Sequence, residues 1–394
     1  MHVRDQLYID GKWVDTTRKG SIDVINPATE EIIGKVPVGS SEDVDKAVAA
    51  ARSAFETWSK SDISQRIDVL NALSNAFKER GEELAQTITA EVGTPIGYSR
   101  VAMVGTPRVV SRSYAKILES FSWEEEVRNS LICKEPVGVC AFITPWNFPL
   151  HQIIGKVAPA IAAGCTMILK PSKEAPLSAF ILADILDEIG LPAGVFNLVS
   201  GHGSEIGNYM SSHPDVDMVS FTGSTGAGVS VSQSAAPTIK RVTLELGGKS
   251  ANVALDDSDP ILVAKKAIGA CHQNSGQTCS ALTRLIIPEE MNEQICEIIA
   301  AKNDSYLVGN PLDETTRCGP MVSSRQQSSV TEYIQSGINE GATLISGGLG
   351  MPDGVDKGFY VKPTIFANVT PNMRIWKEEI FGPVLVITTY KNKC

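Results

Sequence analysis

The sequence has 394 residues and a formal net charge of −10, with 43% hydrophobic and 20% charged residues. That length exceeds what one hydrophobic core usually serves, so two or more domains are expected, and the composition can fill them. An acidic balance with no Lys/Arg block excludes a general nucleic-acid role, and no apolar run reaches the ~18 residues of a membrane span.

The first residues, MHVRDQLYIDGKW, have no apolar core behind a basic segment, so no secretion signal is expected. Residues 7 to 35 alternate like short strands (LYIDGKWVD, SIDVINP, EIIGKVPV), with Asp10-Gly11 as a hairpin turn. Ser41 reads as the N-cap of a helix whose apolar face runs through Val44, Ala47, Val48, Ala51 and Phe55. Asp62 to Ala90 reads as one further helical segment, through Ile67, Leu70, Leu73 and Phe77. Residues 118 to 136 fit a hairpin with Arg128-Asn129 near its tip, an arm projecting from the body.

From residue 137 the rhythm becomes strand, loop, helix, repeated. VGVCAFITPW and CTMILKPS are apolar runs that end in turns, and each is followed by a helix candidate, Pro149 to Ala163 and then the stretch stopped by Gly190 and Pro192. GVFNLVSGHGS and DVDMVSFTGSTGAG repeat the pattern. Such alternation implies a mostly parallel α/β sheet with ligands at the strand ends.

The eight cysteines form no C-x-x-C pair, and the five histidines show no metal-ligand spacing, so no metal is expected. Scattered thiols suggest a reducing compartment, here the cytoplasm. Three residues at turns nevertheless carry chemistry. Asn147, in TPWNFP, could donate to a developing oxyanion, or merely shape the turn. Glu245, in LELGGK, could serve as a general base if burial raises its pKa, or be a surface strand acid. Cys279, in SGQTCSALTR, sits among small polar neighbours in what reads as a loop opening toward water. It is either a nucleophile or an inert buried thiol. The glycine turn FTGSTGAG opens a helix whose amides could receive a pyrophosphate. Lys170 could reach a ribose or a phosphate, and GHGS at 201 to 204 is another close-approach turn.

Taken together, PWNFP, LKPS, FTGST, LELGGKS, GQTCS and EEIFGPV, in that order from residue 145 to 384, resemble the aldehyde dehydrogenase superfamily, on its non-acylating branch. The resemblance implies an α/β fold. A Rossmann-like NAD(P)-binding domain would span residues 1–117 and 137–246, with an oligomerisation hairpin arm at 118–136 and an α/β catalytic domain at 247–394. It implies oxidation of an aldehyde to the carboxylic acid with NAD or NADP. Cys279 would be the nucleophile, Asn147 the oxyanion donor, Glu245 the base that activates water, and Lys156 an aid to proton movement. The implied cofactor contacts are Ile143, Trp146, Lys170, Ser172, Lys173, Gly203, Phe221, Gly223, Ser224, Leu246, Glu379 and Phe381.

Two departures from the family pattern carry expectations. Lys173 stands where the family often has a glutamate that binds the adenosine ribose, so NADP should be tolerated. Family members also continue beyond EEIFGPV with a segment that completes the catalytic domain, so an incomplete C-terminus and weakened homo-oligomerisation are expected. The rival readings are a relative that only binds cofactor, and an acylating enzyme that uses coenzyme A. Glu245 argues against the second. The helix after Asn147 carries His151, Gln152 and Gly155, which favours a bulky or polar aldehyde.

Overall fold

The structure is a computed structural model and describes residues 2–391. Cys394 lies outside the described residues. The chain forms two compact units, one of Met1–Ile25, Ile32–Glu91 and Ser99–Leu246, the other of Asn26–Glu31, Val92–Tyr98 and Gly247–Cys394.

The first unit is built on a seven-stranded sheet. Its order is Arg241–Leu246, Met218–Gly223, Val139–Ile143, Thr166–Lys170, Phe196–Leu198, Gln6–Ile9 and Lys12–Asp15. The first five strands run parallel. The last two form the antiparallel hairpin expected around Asp10-Gly11, both in the left-handed region at φ 54° and 70°. Strand alternation sorts the side chains. Val139, Ala141, Ile143, Ile168 and Val219 pack in one core with Val44, Ala47, Val48 and Ala51 of helix Ser41–Trp58. Cys140, Phe142, Met218 and Ser220 point to the opposite face, toward helix Pro149–Ala163. Both faces of the central strands are covered, which is why VCAFI and TMILK read as continuous apolar runs and not as alternating ones.

Local chemistry explains where elements begin and end. Ser40, one residue earlier than expected, caps helix Ser41–Trp58. Its hydroxyl accepts the Asp43 amide, while the Asp43 carboxylate accepts the Ser40 amide, a reciprocal box that contributes about 1 kcal/mol. The single helical segment expected from Asp62 to Ala90 is two helices, Ile63–Glu79 and Gly81–Val92, broken at Arg80. The residues from 118 to 136 do contain a hairpin, Glu124–Val127 paired with Ser130–Cys133. Its turn is Arg128-Asn129, with Arg128 at φ 57°, and all eight strand residues are exposed.

Glu91 is fully buried and accepts the Leu177 and Ser178 amides at 2.7 and 3.2 Å, capping helix Leu177–Glu188 from a distance in sequence. Burial raises its pKa from 4.5 to about 7. Between those values the folded chain keeps a proton that the unfolded chain has released, so this contribution to stability falls as pH rises through the window. Glu91→Gln stays neutral throughout. Relative to that variant, the unmodified chain is expected to lose several degrees of thermal midpoint between about pH 5 and pH 8, read by thermal unfolding across pH.

The second unit carries a five-stranded sheet in the order Ala251–Val253, Arg284–Pro288, Val384–Tyr390, Thr364–Ala367 and Thr343–Ser346. The first four strands are parallel and the last is antiparallel. Alternation again builds two cores. Leu285, Ile287, Leu385 and Ile387 lie on one face, and Phe366, Val384 and Val386 on the other. No helix among the described residues is long and apolar enough to cross a membrane.

Candidate active site

In the first unit, the strands that follow Val139–Ile143 in the chain are laid down first on one side of it and then, with Met218–Gly223, on the other. The two neighbouring strands therefore mark a switch point, where their C-terminal loops diverge and leave a crevice. Those loops carry Trp146 and Asn147, and Gly223 and Ser224. Asn147 is buried, in the turn just before helix Pro149–Ala163.

On the helix side of the sheet lies a cavity of about 610 Å³. Its walls include His151, Gln152 and Lys156 from the helix, Ser220 from the sheet, and Glu245 from the edge strand. Lys156 is buried and donates to the Ser220 hydroxyl at 3.0 Å. Burial lowers its pKa to about 8, against the opposing pull of the Glu245 charge. Glu245 itself is exposed and not buried, contrary to the condition set for it from sequence. The physical reason is its strand, Arg241–Leu246, which is the edge of the sheet and alternates between exposed and half-buried residues.

The other sequence-derived cofactor residues of this unit fall around the same strand ends. Ile143 ends its strand, buried, and Trp146 is half-buried. Ser224 caps helix Thr225–Ala235 by accepting the Ala227 amide at 3.4 Å. No atom crowds Gly203 or Gly226, so a ligand's oxygens could approach the backbone there. A Cβ at Gly223 would strike the Phe221 ring, and one at Gly228 would strike Leu246. Lys170 is placed differently from the outward reach anticipated for it. Its ammonium is buried, donates to the Pro171 carbonyl at 2.6 Å, and is lowered by burial to about 8. The Ser172 hydroxyl accepts the Glu174 amide, and the exposed Lys173 pairs with Glu174 at 3.3 Å. Helix-start amides, open glycines and a cation at the strand ends suit a dinucleotide's phosphates and ribose.

In the second unit, Cys279 ends a braced loop. Asn274, Ser275 and Gly276 are consecutively left-handed, at φ 51°, 56° and 74°. Non-glycine residues adopt that region only when surroundings impose it. Here Ser275 accepts the Gly319 amide at 2.9 Å and donates to the Gly319 carbonyl at 3.0 Å. The Gln277 carboxamide oxygen accepts the Val322 amide at 2.9 Å, and Thr278 donates to the Gln273 carbonyl at 3.2 Å. Residues 274 to 278 are buried, Cys279 is half-buried and Ser280 is exposed. The loop thus opens only at its tip, and the small residues before the thiol serve the buried stem.

At Gly276 any Cβ would run into the Gly382 carbonyl group and Pro383, which joins GQTCS to EEIFGPV. Gly276→Ala is therefore expected to cost on the order of 2–4 kcal/mol, from a positive φ and a backbone clash together. Differential scanning calorimetry checks this, and an unchanged midpoint would contradict it.

Glu379 accepts the Gly248 amide at 3.2 Å, and burial pushes its pKa up. A Cβ at Gly247 would strike its carboxylate, so the first glycine of LELGGKS makes room for this acid. Phe381 sits at φ 57°, its carbonyl held by Gln326 at 2.9 Å. Sequence reasoning missed Ser220, the partner of Lys156, and the bracing pairs of Ser275 and Gln277. All are contacts made 40 or more residues away along the chain, without a local signature.

A mostly parallel sheet with approachable helix-start amides at its switch point defines a nucleotide-binding class of α/β fold. The aldehyde dehydrogenase family matches residues 13–393. The 3-succinoylsemialdehyde-pyridine dehydrogenase of a Pseudomonas species is 46% identical over 388 residues, 98% of this chain and 81% of that protein. A mutant of aldehyde dehydrogenase C from Pseudomonas syringae, solved with NAD+ and octanal, superposes with a TM-score of 0.97 at 46% identity, over 98% of this chain and 80% of that one. An aldehyde dehydrogenase from Bartonella henselae gives 0.97 at 41% identity, over 100% and 83%. The chain belongs to the aldehyde dehydrogenase family and is an oxidoreductase of that class.

Proposed function

We propose that this enzyme oxidises an aldehyde to its carboxylic acid through a covalent thioester on Cys279. The observation that carries the reading is the placement of Cys279, half-exposed at the tip of a loop whose stem is buried and pinned. Such a loop holds a nucleophile in position without conformational cost at the moment of attack. The Cys279 sulfur adds to the aldehyde carbon, and Asn147 donates to the oxygen that gains charge. A bound NAD or NADP supplies the hydride acceptor. Glu245 takes a proton from the water that cleaves the thioester, and Lys156, near neutrality at about pH 8, can hold or release a proton beside it.

The cofactor is held by the amides after Ser224, by Gly203, by Ile143, Trp146, Phe221, Gly223 and Leu246, and by Lys170, Ser172 and Lys173. Glu379 and Phe381 serve from the second unit. NAD-bound relatives such as the Pseudomonas syringae enzyme support this reading. Lys173 carries an exposed ammonium tempered by Glu174, so the site should accept a 2′-phosphate. Steady-state kinetics with both cofactors are expected to give kcat/KM values within about tenfold of one another, and Lys173→Glu to shift the ratio at least roughly tenfold toward NAD. A large NAD preference that survives Lys173→Ala would reject this role.

His151, Gln152 and Gly155 give the cavity polar groups and room, and the buried His151 Nδ1 has no partner among the described residues. A bulky aldehyde bearing a polar group fits such walls, in keeping with the pyridine semialdehyde named for the Pseudomonas relative. The exposed hairpin Glu124–Cys133 is assigned to contact between subunits, and the unpaired thiols to a cytoplasmic setting.

A further inference from the structure

The loop that ends in Cys279 is gripped from a segment far back in the chain. Residues 92–98 belong to the second unit, and two of their side chains reach the residues just after helix Pro260–His272. The Thr94 hydroxyl donates to the Asn274 side-chain oxygen at 2.8 Å, and both residues are buried. Four residues on, the Tyr98 hydroxyl accepts the Gln273 carboxamide. Thr94 has little room to shift. A Cβ on its neighbour Gly93 would stand 2.6 Å from Pro320 Cγ, and one on Gly319 would strike the Gly93 carbonyl oxygen. The Ile96 amide is tied to the Pro311 carbonyl at 2.8 Å.

Both grips lead on to the thiol. Asn274, at φ 51°, begins the left-handed run that turns the chain away from the helix, a conformation that lasts only while neighbours hold it. Its carboxamide nitrogen donates to the Gln277 carbonyl at 3.4 Å, and the Gln277 carboxamide donates back to the Asn274 carbonyl at 3.4 Å. Gln277 precedes Cys279 by two residues. The Thr94 hydroxyl thus orients Asn274, Asn274 orients Gln277, and Gln277 is pinned two positions from the sulfur. Tyr98 acts by a second route. It holds Gln273, whose carbonyl accepts the Thr278 hydroxyl at 3.2 Å, and Thr278 adjoins Cys279.

We infer that Thr94, seconded by Tyr98, is a positioning residue for the Cys279 thiol. The inference rests on the reading of Cys279 as the nucleophile. Thr94 works through Asn274 and Gln277, and Tyr98 through Gln273 and Thr278. A nucleophile must meet a carbonyl carbon at close range along one line, so a small displacement of the loop slows attack far more than it disturbs the fold. Thr94→Val keeps the branched shape and removes the donor to Asn274. Thr94→Ser keeps that donor. Tyr98→Phe keeps the ring and removes the acceptor for Gln273.

The test compares the three variants with the unsubstituted full chain by two rates, both taken well below the unfolding midpoint. One is alkylation of Cys279 by iodoacetamide, followed by mass spectrometry of its peptide. The other is NADH formation in a single turnover with NAD and octanal. In Thr94→Val, alkylation should be roughly threefold or more faster as the loop loosens, and NADH formation on the order of tenfold slower, with cofactor affinity unchanged. Thr94→Ser should restore both rates to within about twofold of the unsubstituted chain, and Tyr98→Phe should move both in the same directions as Thr94→Val. A residue that only supports the fold would lower the unfolding midpoint and leave both rates alone. That result in Thr94→Val, or in Tyr98→Phe if Thr94→Val does not fold, would overturn the inference. If the unsubstituted chain forms no acyl adduct on Cys279 with octanal and NAD, the nucleophile reading fails, and the alkylation rates by themselves still decide the role of Thr94.

Discussion

Cys279→Ala is expected to lower aldehyde-dependent NADH formation by on the order of 10³–10⁴-fold or more, while cofactor still binds. The reason is chemical. Without sulfur addition, the carbonyl carbon must lose hydride from a planar aldehyde or its hydrate, not from a tetrahedral alkoxide held in place. Cys279→Ser tests the same point more narrowly. It preserves the small side chain and the loop, but a neutral hydroxyl is a far poorer nucleophile than a thiolate. The readouts are NADH absorbance under saturating aldehyde and cofactor affinity by fluorescence titration. Acid production at the unsubstituted rate in either variant would remove the thioester from the mechanism. Loss of cofactor affinity together with activity would instead mean that the loop had collapsed.

The second large effect is expected at Glu245. Glu245→Gln keeps the shape of the edge-strand residue and removes its capacity to accept a proton. The first half of the reaction should survive, giving a burst of NADH close to one per active site. Turnover should then slow by about 10²–10³-fold, because the thioester waits for unactivated water. Rapid-mixing absorbance resolves the two phases. A variant that lacks the burst would place Glu245 in the first step, and a variant with full steady turnover would assign water activation to another group. The exposure of Glu245 suits this role, since the residue must meet water once per cycle. An added strong nucleophile such as hydroxylamine should restore turnover of the stalled thioester in Glu245→Gln and leave Cys279→Ala inactive, which separates the two defects.

Much of the fold around the candidate site is legible in the sequence. Strand-end turns announce themselves locally. A β run that stops at Thr144-Pro145, or at Gly223-Ser224 before a helix, is specified by residues within a few positions. Helix Pro149–Ala163 was bounded correctly because Pro149 starts it and Gly164, at φ 81°, ends it. The misplaced cap at Ser41 and the unseen break at Arg80 share a cause. Ser40 and Ser41 offer the same hydroxyl, and helical periodicity continues across a one-residue interruption, so local sequence cannot choose.

What stayed hidden was set by partners distant in the chain. Glu245 carries the same residue type on an edge strand as on a central one, and only the sheet order made it exposed. The loop before Cys279 looked open because its residues are small and polar. Their polar groups are in fact spent inside the protein, on Gly319, Pro320 and Val322. Lys170 reads as an outward-reaching cation until burial turns it back on the Pro171 carbonyl.

The sequence by itself therefore determined the element types, the turns that carry Asn147, Ser224 and Cys279, and the family to which the chain belongs, because each depends on short-range patterning of polarity and backbone freedom. The tertiary structure alone decided which residues are buried, which polar groups are already satisfied, and that Lys156 meets Ser220. Those outcomes depend on strand order and register. The pairing of distant segments fixes them, and no local stretch of residues records it.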